Sequence, residues 1–342
     1  FTLKTVGALA LAVWATQRAA GIQRRRSADV VLGSGSYVVG PMALAARLGR
    51  RGLVLMEADS HLGLANRICA PLARRVTLAF PLQGRGGRRY RVTGRPVSAE
   101  VRAATRTGGR RAFGLDPDAT VVLVVGGSQG ARSLNRAAVE AFGDDPPFEV
   151  IHVAGPTQED QTRTWLDEHS PGSRYHLFSY LDNLPEAIAA ADLVVARSGG
   201  SVFELAAVGR PSILVPYPHA TADHQAANAR WLAEAGAAVV VRDEELTGPG
   251  LRDLVGALLS DRPRLEAMAR AGLEVGKPDA AQDVADEVFS ALPRRRRSKR
   301  TSKRRRDRRR RVRVPRPGRP SWLRIPRVRF PRIRWPRLRR RR

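Results

Sequence analysis

The chain has 342 residues, 60 Lys and Arg against 32 Asp and Glu, a net charge of +28 and one cysteine. That length suits two α/β domains of ordinary size. The single Cys69 excludes an intramolecular disulfide framework and a cysteine-rich metal site. The charge is segregated: residues 293–342 hold 27 of the basic residues and one acid, so residues 1–292 are nearly neutral at +2. Electrostatic steering therefore belongs to the tail.

Leu3 to Arg26 reads as a helix closing in three arginines. Its apolar run Val6 to Ala15 is too short to span a bilayer and is expected to be buried, with contact to a membrane as the alternative. Nothing at the N-terminus has signal-peptide order, so the chain reads as cytoplasmic. Asp29 to Leu32 predicts a short strand, leading into Gly33-Ser-Gly-Ser-Tyr-Val-Val-Gly-Pro41, with Pro41 suited to a first helical turn. A helix over 42–49, a strand over 52–56, a polar loop from Glu57 to Asn66 and a strand over 76–80 follow. Residues 82–119, rich in Gly, Arg and turn residues, read as the interdomain connection.

Val121 to Val125 is an apolar, mostly β-branched run of the kind that fills a parallel strand covered on both faces. Gly126-Gly-Ser-Gln-Gly130 follows and leads into a helix, a corner whose exposed N–H groups and helix dipole favour an anion. The pattern has neither Walker A spacing nor a dinucleotide fingerprint, and a plain β–α turn is the alternative. Later strands are predicted over 148–153, 176–180, 193–196, 212–215 and 237–241, with helices between them. The alternation gives an α/β class with parallel sheets and ligand loops beyond the strands' carboxyl ends.

Two further loops of this half are unusual. Arg197 to Glu204 places N–H groups at Gly199 to Val202 on a helix start. Glu204 lies one turn in, where it either accepts from a vicinal diol or caps the helix. Asp223, His224, Gln225 and Asn228 crowd a second helix start with more hydrogen-bonding groups than a cap needs.

Together, Gly126 to Ala131, Arg197 to Glu204, Asp223 to Ala229 and Gly35 to Pro41 resemble the motifs of the peptidoglycan lipid I N-acetylglucosaminyltransferases, the MurG family. The resemblance covers roughly residues 3–290. It implies the GT-B fold, two Rossmann-like domains facing across a cleft, here over 1–98 and 120–278. A linker over 99–119, a C-terminal helix over 279–292 and a tail over 293–342 complete the division. It implies inverting transfer from UDP-N-acetylglucosamine to the muramyl 4-hydroxyl of lipid I, without a resident cofactor or bound metal.

The resemblance also implies roles for residues. Ser128 and the neighbouring N–H groups hold the donor diphosphate, and Gly127, Gln129, Gly199, Gly200 and Ser201 are among the donor-binding residues. The backbone of Leu181 meets the uracil, Glu204 the ribose, and Gln225 with His224 the sugar. Asp59 falls on the donor side, and Gly35 and Tyr37 on an acceptor-side loop. The resemblance names no catalytic base; His61 and Asp59 lie in the right loop region but read more readily as loop or cap residues.

The sequence departs from the family at several points. The family's opening Gly-rich loop ending in histidine is not in this sequence, so the first domain is expected to lack two β–α units and to have open sheet edges. A non-catalytic homologue that binds nucleotide sugar or membrane is the alternative, as is a related GT-B transferase with another donor or acceptor. The family's His-Glu-Gln-Asn reads Met56-Glu-Ala-Asp59, and its Gly-Asn-Pro-Val-Arg reads Gly94-Arg-Pro-Val-Ser98. The Arg197–Glu204 loop is one residue shorter than usual.

Residues 293–311 are almost wholly basic and read as disordered. A five-residue repeat follows, from Pro326 through Pro331 and Pro336, which alternates Arg with apolar residues and forbids a continuous helix. With Trp322, Phe330 and Trp335 it is expected to bind an anionic membrane surface, as a peripheral protein on the cytoplasmic face. Nucleic acid or no selected role are the alternatives, nucleic acid being the less favoured partner.

Overall fold

The computed structural model describes residues 3–220 and 223–293. The readings made for the tail lie outside the described residues.

The first half carries strands β1 (Val30–Gly33), β2 (Gly52–Glu57), β3 (Arg75–Leu78) and β4 (Tyr90–Val92), in the order β1-β2-β3-β4, all parallel. Helices α1 (Leu3–Arg25), α2 (Val39–Leu48) and α3 (Leu64–Cys69) accompany them. Leu53, Leu55, Val76 and Leu78 meet Ala43 and Ala46 of α2 in one core. Among the described residues β1 has a strand neighbour on one side only. The expectation that Val6 to Ala15 is buried fails: Leu11, Val13 and Trp14 are 63%, 53% and 55% exposed. The helix turns apolar residues outward because only part of one face, including Ala19 and Gln23, is covered, Gln23 Nε2 donating to Met42 O at 2.9 Å.

The second half carries β5 (Val121–Val125), β6 (Glu149–Val153), β7 (Tyr175–Phe178), β8 (Leu193–Ala196), β9 (Ser212–Leu214) and β10 (Ala238–Val240). All are parallel, in the order β10-β9-β8-β5-β6-β7. Every residue of β5 is buried. Val121, Leu123 and Val125 enter one core while Val122 and Val124 enter the other, as the alternation of a strand requires. Each such burial is worth about 1.5–3 kcal/mol over exposure.

Between the sheets the stretch read as a connection is not bare loop. It holds β4 and helices α4 (Ala99–Ala103) and α5 (Arg106–Ala112). Ser98 caps α4, accepting from Val101 N at 3.3 Å. Arg110 of α5 is buried and bonds Asp192 Oδ2 at 3.0 Å, which also accepts from Val121 N at 2.9 Å. Two glycines in α5 and the arginine-rich composition hid this helix; Gly109 is there because a Cβ would overlap Glu186 O.

The remaining helices are α6 (Arg132–Phe142), α7 (Glu159–Asp167), α8 (Leu184–Ala190), α9 (Ser201–Ala207), α10 (His224–Glu234), α11 (Gly248–Ser260), α12 (Arg262–Val275) and α13 (Ala280–Ser290). The two halves meet at a seam where Phe80, just past β3, packs on Phe203 of α9 and Trp231 of α10, with ring centroids 4.9 and 5.2 Å away. The chain then returns to the first sheet, where Glu287 of α13 pairs with Arg75 at 2.8 Å.

Candidate functional site

The strand order of the second sheet reverses between β5 and β8. From β5 the chain builds outward through β6 and β7, then returns to the other side of β5 with β8. The loops leaving two such strands diverge and open a crevice at their carboxyl ends. A cleft of about 1290 Å³ lies there, lined by Gly126 to Gly130 after β5 and by Arg197 and Gly199 to Ser201 after β8. Tyr180 and Leu181 after β7, Tyr217 after β9 and Gln225 on α10 complete its wall.

Glycine geometry shapes the first loop. Gly127 and Gly130 have φ of +86° and +76°. Gly127 has open space around it, whereas a Cβ on Gly130 would overlap Ala154 O. Gly127, Ser128 and Gln129 are exposed to the cleft, and Thr157 Oγ1 fixes the turn from outside by donating to Gln129 O at 2.7 Å.

Arg197 is 7% exposed and is one of three arginines, with Arg132 and Arg136, that line the cleft. Its guanidinium pairs with Asp243 Oδ1 at 2.6 Å and donates to Ser133 Oγ, Val215 O and Pro216 O at 2.8, 3.2 and 3.1 Å. It also lies 5.6 Å from the centroid of the Tyr217 ring. So many partners hold the side chain in one pose. Ser133, Tyr217 and Asp243 are not marked by anything local in the sequence; the start of α6, the loop after β9 and the short turn of helix at 243–245 bring them to Arg197.

The structure gathers Gly127, Ser128, Gln129, Leu181, Gly199, Gly200, Ser201 and Gln225 on this one cleft. Gln225 Oε1 accepts from Tyr217 N at 3.0 Å, and Ser198 Oγ donates to Gln225 O at 2.8 Å. His224 begins α10 beside it without lining the cleft, after an Asp223 in the left-handed region at φ +53°. Glu204 is likewise set back, half-buried one turn into α9. Burial raises its pKa, and the charge of Arg95 pulls it down. That arginine comes from the loop after β4. A Cβ on Gly200 would stand 2.8 Å from its guanidinium, so Arg95 does cross to the donor-side helix.

The first-half residues lie elsewhere. Asp59 does not line the cleft because its loop is folded back on the buried Glu57. Glu57 accepts from Asp59 N at 3.2 Å, Gly63 N at 2.9 Å and Asn66 Nδ2 at 2.9 Å. Gly35, at φ +92°, lies against Asn66 of the same cluster. Tyr37 is 88% exposed, and His61 is exposed in the Glu57 loop. Among the described residues no group of His, Cys, Asp and Glu is arranged to hold a metal ion.

Two parallel sheets joined at a seam, with a polar crevice at the switch point of the second, define the GT-B architecture, and the family match makes the chain a glycosyltransferase. Residues 121–284 match the glycosyltransferase family 28 C-terminal domain. A UDP-N-acetylglucosamine–N-acetylmuramyl-(pentapeptide) pyrophosphoryl-undecaprenol N-acetylglucosamine transferase of Moorella thermoacetica is 41% identical over 280 residues, 79% of this chain and 76% of that one. The enzyme of the same name from Desulforamulus reducens is 36% identical over 81% of this chain and 78% of its own. The crystal structure of Acinetobacter baumannii MurG is similar at a TM-score of 0.65 and 28% identity, over 80% of this chain and 77% of that one. A putative UDP-N-acetylglucosamine 2-epimerase of Listeria monocytogenes, 16% identical at a TM-score of 0.62 over 83% of this chain and 80% of that one, shares the fold. The chain belongs to the UDP-N-acetylglucosamine–N-acetylmuramyl-(pentapeptide) pyrophosphoryl-undecaprenol N-acetylglucosamine transferase family.

Proposed function

We infer that this chain transfers N-acetylglucosamine from UDP-N-acetylglucosamine to the muramyl 4-hydroxyl of lipid I, in peptidoglycan synthesis. The observation that carries the reading is the convergence of two switch-point loops and the buried Arg197 on one cleft. Exposed N–H groups and a fixed guanidinium are the groups a departing diphosphate requires, because they meet developing negative charge without reorganising. Ser128 and the Gly127–Gly130 turn cradle the diphosphate. Leu181 offers its backbone to the uracil, Gln225 its amide to the sugar, and Glu204 its carboxylate to the ribose hydroxyls. The acceptor hydroxyl attacks the anomeric carbon opposite the leaving UDP; the new C–O bond forms as the bond to the β-phosphate oxygen breaks, with inversion. The hydroxyl proton passes to a general base as the bond forms.

The same reading places the protein peripherally on the cytoplasmic face of the membrane that holds its lipid acceptor. Support comes from the outward apolar residues of α1, with Arg18 stacked 5.2 Å over Trp14, and from the basic, aromatic sequence after residue 293. Such residues favour an anionic lipid surface.

Calorimetric titration with UDP-N-acetylglucosamine tests the donor site. Wild-type binding that Glu204→Ala weakens by tenfold or more, about 1.4 kcal/mol, is the expected result. A folded wild-type chain that binds no donor would overturn the reading.

A further inference from the structure

Behind the cleft lies a run of buried polar side chains that the transfer reaction does not use. His152, in the middle of β6, and Asn135, in the first turns of α6, are both 0% exposed. His152 Nδ1 is 2.7 Å from Tyr175 Oη, and its Nε2 is 3.1 Å from Asn135 Oδ1. Asn135 Nδ2 reaches Ala154 O at 2.9 Å and Thr162 Oγ1 at 3.3 Å.

The proton positions follow by elimination. Thr162 gives its hydroxyl hydrogen to Gln158 O at 2.7 Å, so toward Asn135 it is an acceptor. Ala154 O can only accept. Both hydrogens of the Asn135 amide are therefore committed, and Asn135 Oδ1 needs a donor. His152 carries its hydrogen on Nε2, and the bare Nδ1 accepts from the Tyr175 hydroxyl. Burial supports the neutral ring, pushing the His152 pKa down to about 3 and that of Tyr175 well up. The result is a one-directional chain, Tyr175 to His152 to Asn135 to Ala154 O, in which each group has its partner.

Apolar residues of the same shape would fill this space without desolvating polar groups. What a polar chain adds is a fixed geometry, and it ends on the backbone that carries the cleft turn. Ala154 O is the atom that a Cβ on Gly130 would overlap. Gly155, at φ +90°, is so close to Gly130 and Gln129 that a Cβ there would overlap their backbone. Asn135 thus ties the start of α6 to the end of β6, with the Gly127–Gly130 turn pressed between them.

We propose that the Tyr175–His152–Asn135 chain positions the Gly127–Gly130 turn, so that these remote side chains set affinity for the diphosphate of a nucleoside diphosphate. The proposal rests on the reading of the cleft as the donor site. None of the three lines the cleft; they are positioning residues.

The test compares UDP with uridine by calorimetry on the full chain and on three variants, with melting curves as the control for folding. Asn135→Asp keeps the shape but cannot donate to Ala154 O. Tyr175→Phe removes one oxygen and leaves His152 Nδ1 buried without its donor, while Asn135 Oδ1 still holds the hydrogen on Nε2. His152→Gln retains one donor and one acceptor and serves as the conservative rescue beside His152→Leu. The expected result is that Asn135→Asp weakens UDP by tenfold or more, while uridine, which lacks phosphate, changes less than about twofold. Tyr175→Phe follows in the same direction with a smaller loss, and His152→Gln binds UDP better than His152→Leu. If UDP and uridine weaken by the same factor, or if UDP affinity is unchanged in folded variants, the proposal is wrong. If the folded wild type binds neither ligand, the donor-site reading itself falls, and this proposal with it.

Discussion

The guanidinium of Arg95 lies 5.7 Å from the ring centroid of Phe203, the residue before Glu204 on α9. A cation from the first half thereby stands beside the carboxylate assigned to the ribose, and the two effects on Glu204 oppose: burial raises its pKa, Arg95 lowers it. Only the ionised carboxylate accepts from both hydroxyls of a diol, so donor binding weakens as pH falls through the Glu204 pKa. Arg95→Ala removes the lowering influence and moves that acid limb to higher pH. UDP affinity measured from pH 5 to 8 is expected to drop most at the acid end in this variant. A loss equal at every pH would mean that Arg95 acts on the ligand without acting through Glu204.

Gly127 and Gly130 both have left-handed backbones, yet their substitution by alanine should differ. At Gly127 the added methyl meets nothing within 4 Å, leaving the left-handed strain of about 1–2 kcal/mol. At Gly130 the same strain is joined by overlap with Ala154 O, a backbone atom that cannot swing aside. Gly127→Ala should fold with a melting point a few degrees lower at most. Gly130→Ala should melt lower still and lose measurable UDP binding, because its relaxation opens the turn. Equal melting points for the two would contradict the close approach.

The strands covered on both faces are the legible elements, for a physical reason. A parallel strand covered on both faces must be apolar throughout, and Val121 to Val125 is; a loop that turns sharply beside an anion must be rich in glycine, and Gly126 to Gly130 is. Strand positions over 52–56, 121–125 and 193–196 therefore emerged from pattern alone. What stayed hidden is held by distant partners. β4 is only three residues long and mostly exposed, and α5 contains two glycines; α1 is legible as a helix, but not the outward facing of its apolar residues. Arg197 could be picked from its motif, but its clamp of Ser133, Tyr217 and Asp243 draws on residues 64, 20 and 46 positions away in sequence.

The return of α13 to the first sheet makes Gly52 a sensitive position. A Cβ there would overlap Ala291 O, just past the helix. The ion pair Arg75–Glu287 in the same contact is partly exposed, at 27% and 21%, and such pairs contribute about 0–1 kcal/mol. Gly52→Ala should therefore destabilise more than Glu287→Gln. Limited proteolysis reads the difference, with cleavage around 276–293 accelerated in Gly52→Ala and little changed in Glu287→Gln.

Membrane association should divide into two separable parts. The apolar residues Leu11 and Trp14 on α1, 63% and 55% exposed, gain by entering the lipid interface, a contribution that salt does not screen. The 27 basic residues of 293–342 gain by approaching anionic headgroups, about 1 kcal/mol for each charge near the surface, and salt does screen that. Vesicle sedimentation at low and high salt separates them. Removing residues 294–342 should abolish the salt-sensitive part and leave UDP affinity unchanged. Leu11→Ser with Trp14→Ser should reduce what persists at high salt, and should do so equally on neutral and anionic vesicles. If the double variant lowers binding only at low salt, α1 does not enter the lipid, and the surface attachment belongs to charge alone.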